Sequence, residues 1–188
     1  MNRLLDLGAD INATNSAALK AALKNNQIAT IQLLLDRGAS VNLWDHNVLS
    51  LALKNCQDTT IQLLVDRCAD RDAGRDLALV EASRYGKETT VQMLLERGAD
   101  IHAGDDQALI EASTRNRDRV IQLLLDGGAN VKARDDMALI VSLELGNETT
   151  VQLLLDSGAD VNARDGMALI QAVRRGPRRV IQLSLIHI

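Results

Sequence analysis

The 188-residue chain sets 21 Lys and Arg against 25 Asp and Glu, a net charge of −4, which excludes the strongly basic surface of a nucleic-acid binder. Apolar residues make up 46% and charged residues 24%, so a core can form and intrinsic disorder is excluded. Trp44 and Tyr85 are the only aromatics, so that core must be built from Leu, Ile, Val and Ala, which favours helices over sheet.

The opening Met1-Asn-Arg-Leu-Leu-Asp6 lacks the basic flank and apolar stretch of a secretory signal, and no apolar run reaches the ~18 residues of a membrane span. Gly8-Ala9 then begins a pattern that returns every 30 residues at Gly38-Ala39, Cys68-Ala69, Gly98-Ala99, Gly128-Ala129 and Gly158-Ala159. A helix-like segment precedes each full copy, as in Ile31-Gln-Leu-Leu-Leu-Asp36 and Val151-Gln-Leu-Leu-Leu-Asp156. The periodic glycine ends it. An earlier helix in each copy carries Ala-Leu-x-x-Ala, as in Ala78 to Ala82 and Ala108 to Ala112. It stops at Asn26, Gly86, Asn116, Gly146 or Gly176, residue types that tolerate the left-handed conformation.

This spacing divides the chain, read as one domain over 1–188, into a partial copy 1–13, full copies 14–43, 44–73, 74–103, 104–133 and 134–163, and a partial copy 164–182. Helices shorter than ~12 residues are marginal alone, so neighbouring copies must stack. The closing Leu183-Ser-Leu-Ile-His-Ile188 abandons the pattern and matches one reading frame of a common sequencing adapter. Residues 183–188 are therefore expected to be a non-native tail, and the chain a fragment of a longer protein.

Gly98-Ala99-Asp100-Ile101-His102-Ala103 and Gly158-Ala159-Asp160-Val161-Asn162-Ala163 resemble the Gly-Ala-Asp-Val-Asn-Ala signature of the ankyrin repeat, and Leu153-Leu-Leu-Asp156 matches too. The resemblance implies an all-α helix-turn-helix solenoid of five full repeats plus two partial ones. Family units run to about 33 residues. The missing residues fall where the family forms the tip of a β-hairpin finger, so stunted fingers are expected, with turns such as Gly104-Asp105-Asp106 and Arg134-Asp135-Asp136. The family's Thr-Pro-Leu-His helix start is absent, and helix capping is expected from Ser16, Asp76, Asp106 and Asp136.

The recurring Gln32, Gln62, Gln92, Gln122, Gln152 and Gln182 stand four residues before an acidic residue in every full copy, a surface pair worth ~0.2 to 0.5 kcal/mol. Cys56 and Cys68 replace Gly or Asn at the ends of successive helices, about 13 Å apart along one helix and too far to bond. Held left-handed, each would cost on the order of 1 kcal/mol, which makes the second full copy the expected weak point. His46, His102 and His187 share no metal spacing, and the acidic pairs lack the pattern of a calcium loop. No catalytic motif, metal site or cofactor site is expected.

Function then falls to the surface. The resemblance implies a concave face made of the turns and the first helices, binding a protein partner. Trp44, His46, Asp105 and Asp135 belong to the turn row, and Arg84, Tyr85, Arg115, Leu145, Arg174 and Arg175 to the helices. Trp44 and Tyr85 are the expected hot spots. The expected protein is a non-catalytic monomer with no nucleic-acid or membrane partner. Its expected place is the cytoplasm, or a host cell for a viral or bacterial effector. The alternatives are a recognition fragment of a larger enzyme or effector, such as a ligase adaptor, and a structural spacer. The resemblance also implies that Asn42 and Asn162, and with them Asn12, are places where an oxygenase could hydroxylate the chain.

Overall fold

The computed structural model describes residues 8–41, 46–67 and 71–175. Every regular element among the described residues is a helix. The chain divides into two compact units, Met1–Ala78 and Leu79–Ile188, and each is taken by itself.

The first unit holds α1 (Ala13–Lys24), α2 (Ile28–Asp36), α3 (His46–Asn55) and α4 (Asp58–Asp66), and α5 (Arg71–Tyr85) begins in it. α1 packs on both α2 and α3, and α3 packs on α4. Leu19, Leu23, Ile31, Leu34, Leu49, Leu53, Ile61 and Leu64 form its core at 0–1% exposure. Burying each such side chain contributes about 1.5–3 kcal/mol, which offsets the weakness of nine- to twelve-residue helices standing alone.

The second unit continues with α6 (Glu88–Glu96), α7 (Ala103–Thr114), α8 (Asp118–Asp126), α9 (Ala133–Leu145), α10 (Glu148–Asp156) and α11 (Ala163–Arg175). α9 lies between α7 and α11 in an inner layer, and α8 lies between α6 and α10 in an outer one. The same places are buried copy after copy: Leu79, Leu109 and Leu139 inside, and Leu94, Leu124 and Leu154 outside. The 30-residue period is a packing register.

The helix ends follow from backbone chemistry. Asn26, Gly86, Asn116 and Gly146 close the inner helices at φ +49° to +70°. Beyond each, an N–H reaches back five residues to a carbonyl, as Lys87 does to Ala82 at 3.0 Å and Arg117 to Ala112 at 3.0 Å. Cys56 departs from the expected left-handed strain. It is not among the left-handed residues; its N–H bonds Ala52 at 2.8 Å, and Gln57 turns out to an extended ψ of 160°. A different cap removes the need for positive φ. Its buried thiol donates to the Leu23 carbonyl at 3.6 Å and forms no disulfide. Cys68 lies outside the described residues.

In place of fingers stand turns, as the missing residues required. Gly104-Asp105-Asp106, Arg134-Asp135-Asp136 and Arg164-Asp165-Gly166 are each left-handed at all three residues, with φ between +50° and +76°. An N–H to C=O bond four residues back closes each, as from Asp106 to His102 at 3.3 Å and from Gly166 to Asn162 at 3.1 Å. Left-handed backbone costs roughly 1–2 kcal/mol per L-residue, so something must hold these turns.

Asp106 and Asp136 do so, and this corrects their expected role as helix caps. Both are 4% exposed, and both send Oδ1 forward to the next copy. Asp106 accepts the Asn130 N–H at 2.7 Å and Asp136 accepts the Asp160 N–H at 2.8 Å, each bond spanning 24 residues. Asn130 and Asp160 in turn accept the N–H two residues on, from Lys132 at 3.0 Å and Asn162 at 2.8 Å. In the first unit Asn12 takes the part, accepting the Ser40 N–H at 2.7 Å, while the Ser16 hydroxyl donates to the Ser40 carbonyl at 3.3 Å.

Candidate interaction surface

The turn row is held by its own arginines. Arg134 donates from Nη2 to the Gly104 carbonyl at 2.7 Å, and Arg164 donates to the Arg134 carbonyl at 3.2 Å, so each turn is clasped by the next. Asp105 and Asp135 remain exposed, with Asp135 only 3.6 Å from the Arg164 guanidinium. Behind them the exposed His102 ring sits against buried Asp106, Nδ1 to Oδ1 at 3.1 Å.

On the inner helices, Arg84 is committed internally. It forks onto Glu111 of α7 through Nε and Nη2, both at 3.0 Å, and Nη1 meets Glu81 at 2.9 Å. Gln107 donates to the same Glu111 at 3.0 Å. The bidentate guanidinium holds the Glu111 carboxyl below its ordinary range, and Glu111 in turn raises Arg84. Glu81 keeps 2% of its side chain exposed, an ion that only a partner such as Arg84 makes tolerable there. Arg117 lies over Gly86 and donates to the Arg84 carbonyl at 3.3 Å. A Cβ on Gly86 would stand 2.7 Å from the Arg117 Cδ, so the glycine provides the room as well as the φ of +70°.

Farther along the second unit the face changes character. Met137, Val141 and Leu145 fall four apart on α9, where α7 and the residue that caps its C-terminus have Gln107, Glu111 and Arg115. Leu145 is 54% exposed, whereas its neighbours inside, Leu139 and Leu143, are 0% exposed. Arg115 and Arg174 are exposed on the flanking helices, and exposed Glu144 lies between them.

The sequence-predicted residues are thus unevenly placed. Arg84 lies in the internal network, Arg115 and Leu145 stand at neighbouring inner-helix ends, Tyr85 is partly exposed, and Asp105 and Asp135 share the turn row. Trp44 and Asn42 lie outside the described residues, as do 176–188; of His46 and Arg175 only the backbone is described. Asn162 is exposed, its N–H tied to Asp160. The expected Gln-to-acid pairs form at Gln32, Gln92, Gln122 and Gln152, at 2.6 to 3.1 Å. Sequence reasoning missed the carboxylates Glu81 and Glu111. Their signal was acid at one inner-helix place in successive copies, beside the Arg84 that answers both.

An open groove of about 500 Å³ lies on the outer helices, among Glu88, Gln92, Asp118, Arg119, Leu123 and Leu153. Asp118 there is engaged, accepting from the Thr150 hydroxyl at 2.6 Å. Among the described residues no group of three or more His, Cys, Asp or Glu could hold a metal ion, and no helix is long and apolar enough to cross a membrane.

Comparison with known proteins agrees with this architecture. A model described as ankyrin repeats in three copies matches residues 101–165, and a single ankyrin repeat model matches residues 74–106. No curated protein matches the chain. Among solved structures, it is similar to the ankyrin repeat domain of Bcl-3, a member of the IkappaB protein family. The two share 30% identity at a TM-score of 0.71, over 97% of this chain and 89% of that one.

Proposed function

The chain belongs to the ankyrin repeat family, and on that premise we propose that it is a non-catalytic module binding a protein partner through its inner helices and turn row. Ankyrin repeats are in general protein–protein interaction modules. One observation carries the reading for this chain: the groups that hold the copies together are paired internally, whereas Leu145 keeps 54% of its surface in water on the inner face beside exposed Arg115. With partly exposed Val141 and Met137 four and eight residues before it on the same face, Leu145 ends an apolar row that suits a partner better than it suits an inert spacer. Trp44 and Tyr85 supply aromatic contact, Asp105 and Asp135 contribute from the turns, and the module works as a cytoplasmic monomer.

Capture of proteins from a lysate, using the intact gene product and a Trp44→Ala/Tyr85→Ala variant, tests this. The variant is expected to lose about 1 kcal/mol or more of affinity per aromatic without unfolding. Equal recovery would remove both aromatics from the site, and the absence of any captured protein would favour the spacer.

A further inference from the structure

We infer that α11 pairs with α11 of a second molecule of this chain, antiparallel about a two-fold axis through Ile170. Met167, Ile170 and Val173 stand three apart along one face of α11, exposed by 37%, 44% and 62%. Ile170 and Val173 occupy the places of Ile140 and Leu143, which are 4% and 0% exposed on α9, the helix that α11 packs against. The face thus continues the surface that stacks α7, α9 and α11, and it is left in water.

What covers it is not held as the earlier copies hold their neighbours. Asp106 and Asp136 each reach forward to an amide of the next copy, whereas the matching place on α11 is Gly166, where a Cβ would meet nothing within 4 Å. No carboxylate there requires a particular amide, and none would be trapped between two molecules.

Charge makes the face complementary to itself. Asp165 precedes it and Arg174 closes it, with Arg175 next in sequence. Asp165 and Arg174 are exposed, and neither has an ion partner among the described residues. Arg164, beside Asp165, is spent on its own chain, at the Arg134 carbonyl and 3.6 Å from Asp135. Exposed Glu144, at the place of Arg174 one copy back, makes no bond to it. With the two helices antiparallel, Ile170 meets its own counterpart and Met167 of each molecule meets Val173 of the other. Arg174 of each then comes against Gly166 and Asp165 of the other. A parallel pair would set Arg174 on Arg174 and Asp165 on Asp165, so charge selects the antiparallel one. Three apolar side chains from each molecule make a small, transient interface, and the partner-binding monomer stands in equilibrium with the pair.

Sedimentation equilibrium of the full chain tests this. The weight-average mass is expected to rise from one molecule toward two between about 1 μM and 1 mM. Ile170→Glu should weaken pairing by at least about tenfold, since it sets two carboxylates against each other at the axis. Asp165→Arg and Arg174→Glu should each lose self-pairing to a similar degree, because either one brings like charges together. An equimolar mixture of those two variants should pair again, since every facing charge is then opposite. All three positions are exposed, and circular dichroism verifies that each variant stays folded. A chain that stays monomeric up to about 1 mM, pairing that ignores Ile170→Glu, or a mixture that pairs no better than its components would each overturn the assignment.

Discussion

Replacing Asp106 tests what binds one copy to the next. Its Oδ1 receives the Asn130 N–H at 2.7 Å, and its side chain is almost wholly buried. Asp106→Ala removes a hydrogen bond to a charged acceptor, worth about 1.5–3 kcal/mol, and leaves a partly buried amide unpaired. It also places Ala at φ +55°, which adds about 1 kcal/mol. The expected loss is about 2.5–4 kcal/mol. Asp106→Asn keeps an oxygen at the same place and should cost about 1 kcal/mol, and Asp106→Gly should fall between, because it loses the bond but is at ease left-handed. Urea unfolding followed by circular dichroism gives the order, and hydrogen exchange gives the place: in the Ala variant the Asn130 amide should exchange roughly 10- to 100-fold faster. Equal losses for Ala and Asn, with Asn130 as protected as before, would refute the staple.

Three further outcomes follow from backbone and charge. Gly128 sits at φ +96° with nothing within 4 Å of where a Cβ would go, so Gly128→Ala should cost about 1–2 kcal/mol through conformation alone. Conversely, Cys68→Gly, at the one such place in the period without glycine, should raise the melting temperature; an unchanged value would show that Cys68 carries no such cost. Burial raises the Asp136 carboxyl above its ordinary value, more than the Asp160 N–H lowers it. The folded chain therefore holds that proton more tightly than the unfolded chain does, so stability falls as pH rises from the ordinary carboxylate value through the raised one. Asp136→Asn should abolish this acid-side gain in melts from pH 3 to 7, and an unaltered pH profile would count against it.

Much of the architecture was legible because it is local and repeated. Gly98 or Asn116 needs only its own φ to end a helix, and Gln122 needs only Asp126 four residues on. What stayed hidden crosses between copies. Nothing in the run Asp135-Asp136 says that one carboxylate lies in water while the other is buried against an amide 24 residues away. Arg84 looked like a free binding residue because a cation at a helix end reads as solvated. Glu81 stands three residues before it on α5, but Glu111 comes beside it only once α5 and α7 are side by side. Cys56 shows the converse, where a sound local rule about left-handed caps failed because the chain had a second way to leave the helix. The binding face was legible as a row of places, but which of them are already spent was not.

The forward reach of the buried carboxylates also limits how such a gene can change length. Asp106 finds its amide 24 residues on, and Asp136 repeats the spacing. Excising one whole period between them would bring Asp160 to the site Asn130 now fills, with the same donor N–H, so recombination within the gene can add or drop modules without orphaning a carboxylate. A loss that is not a whole number of periods would take the donor N–H out of reach and leave the buried carboxylate without it.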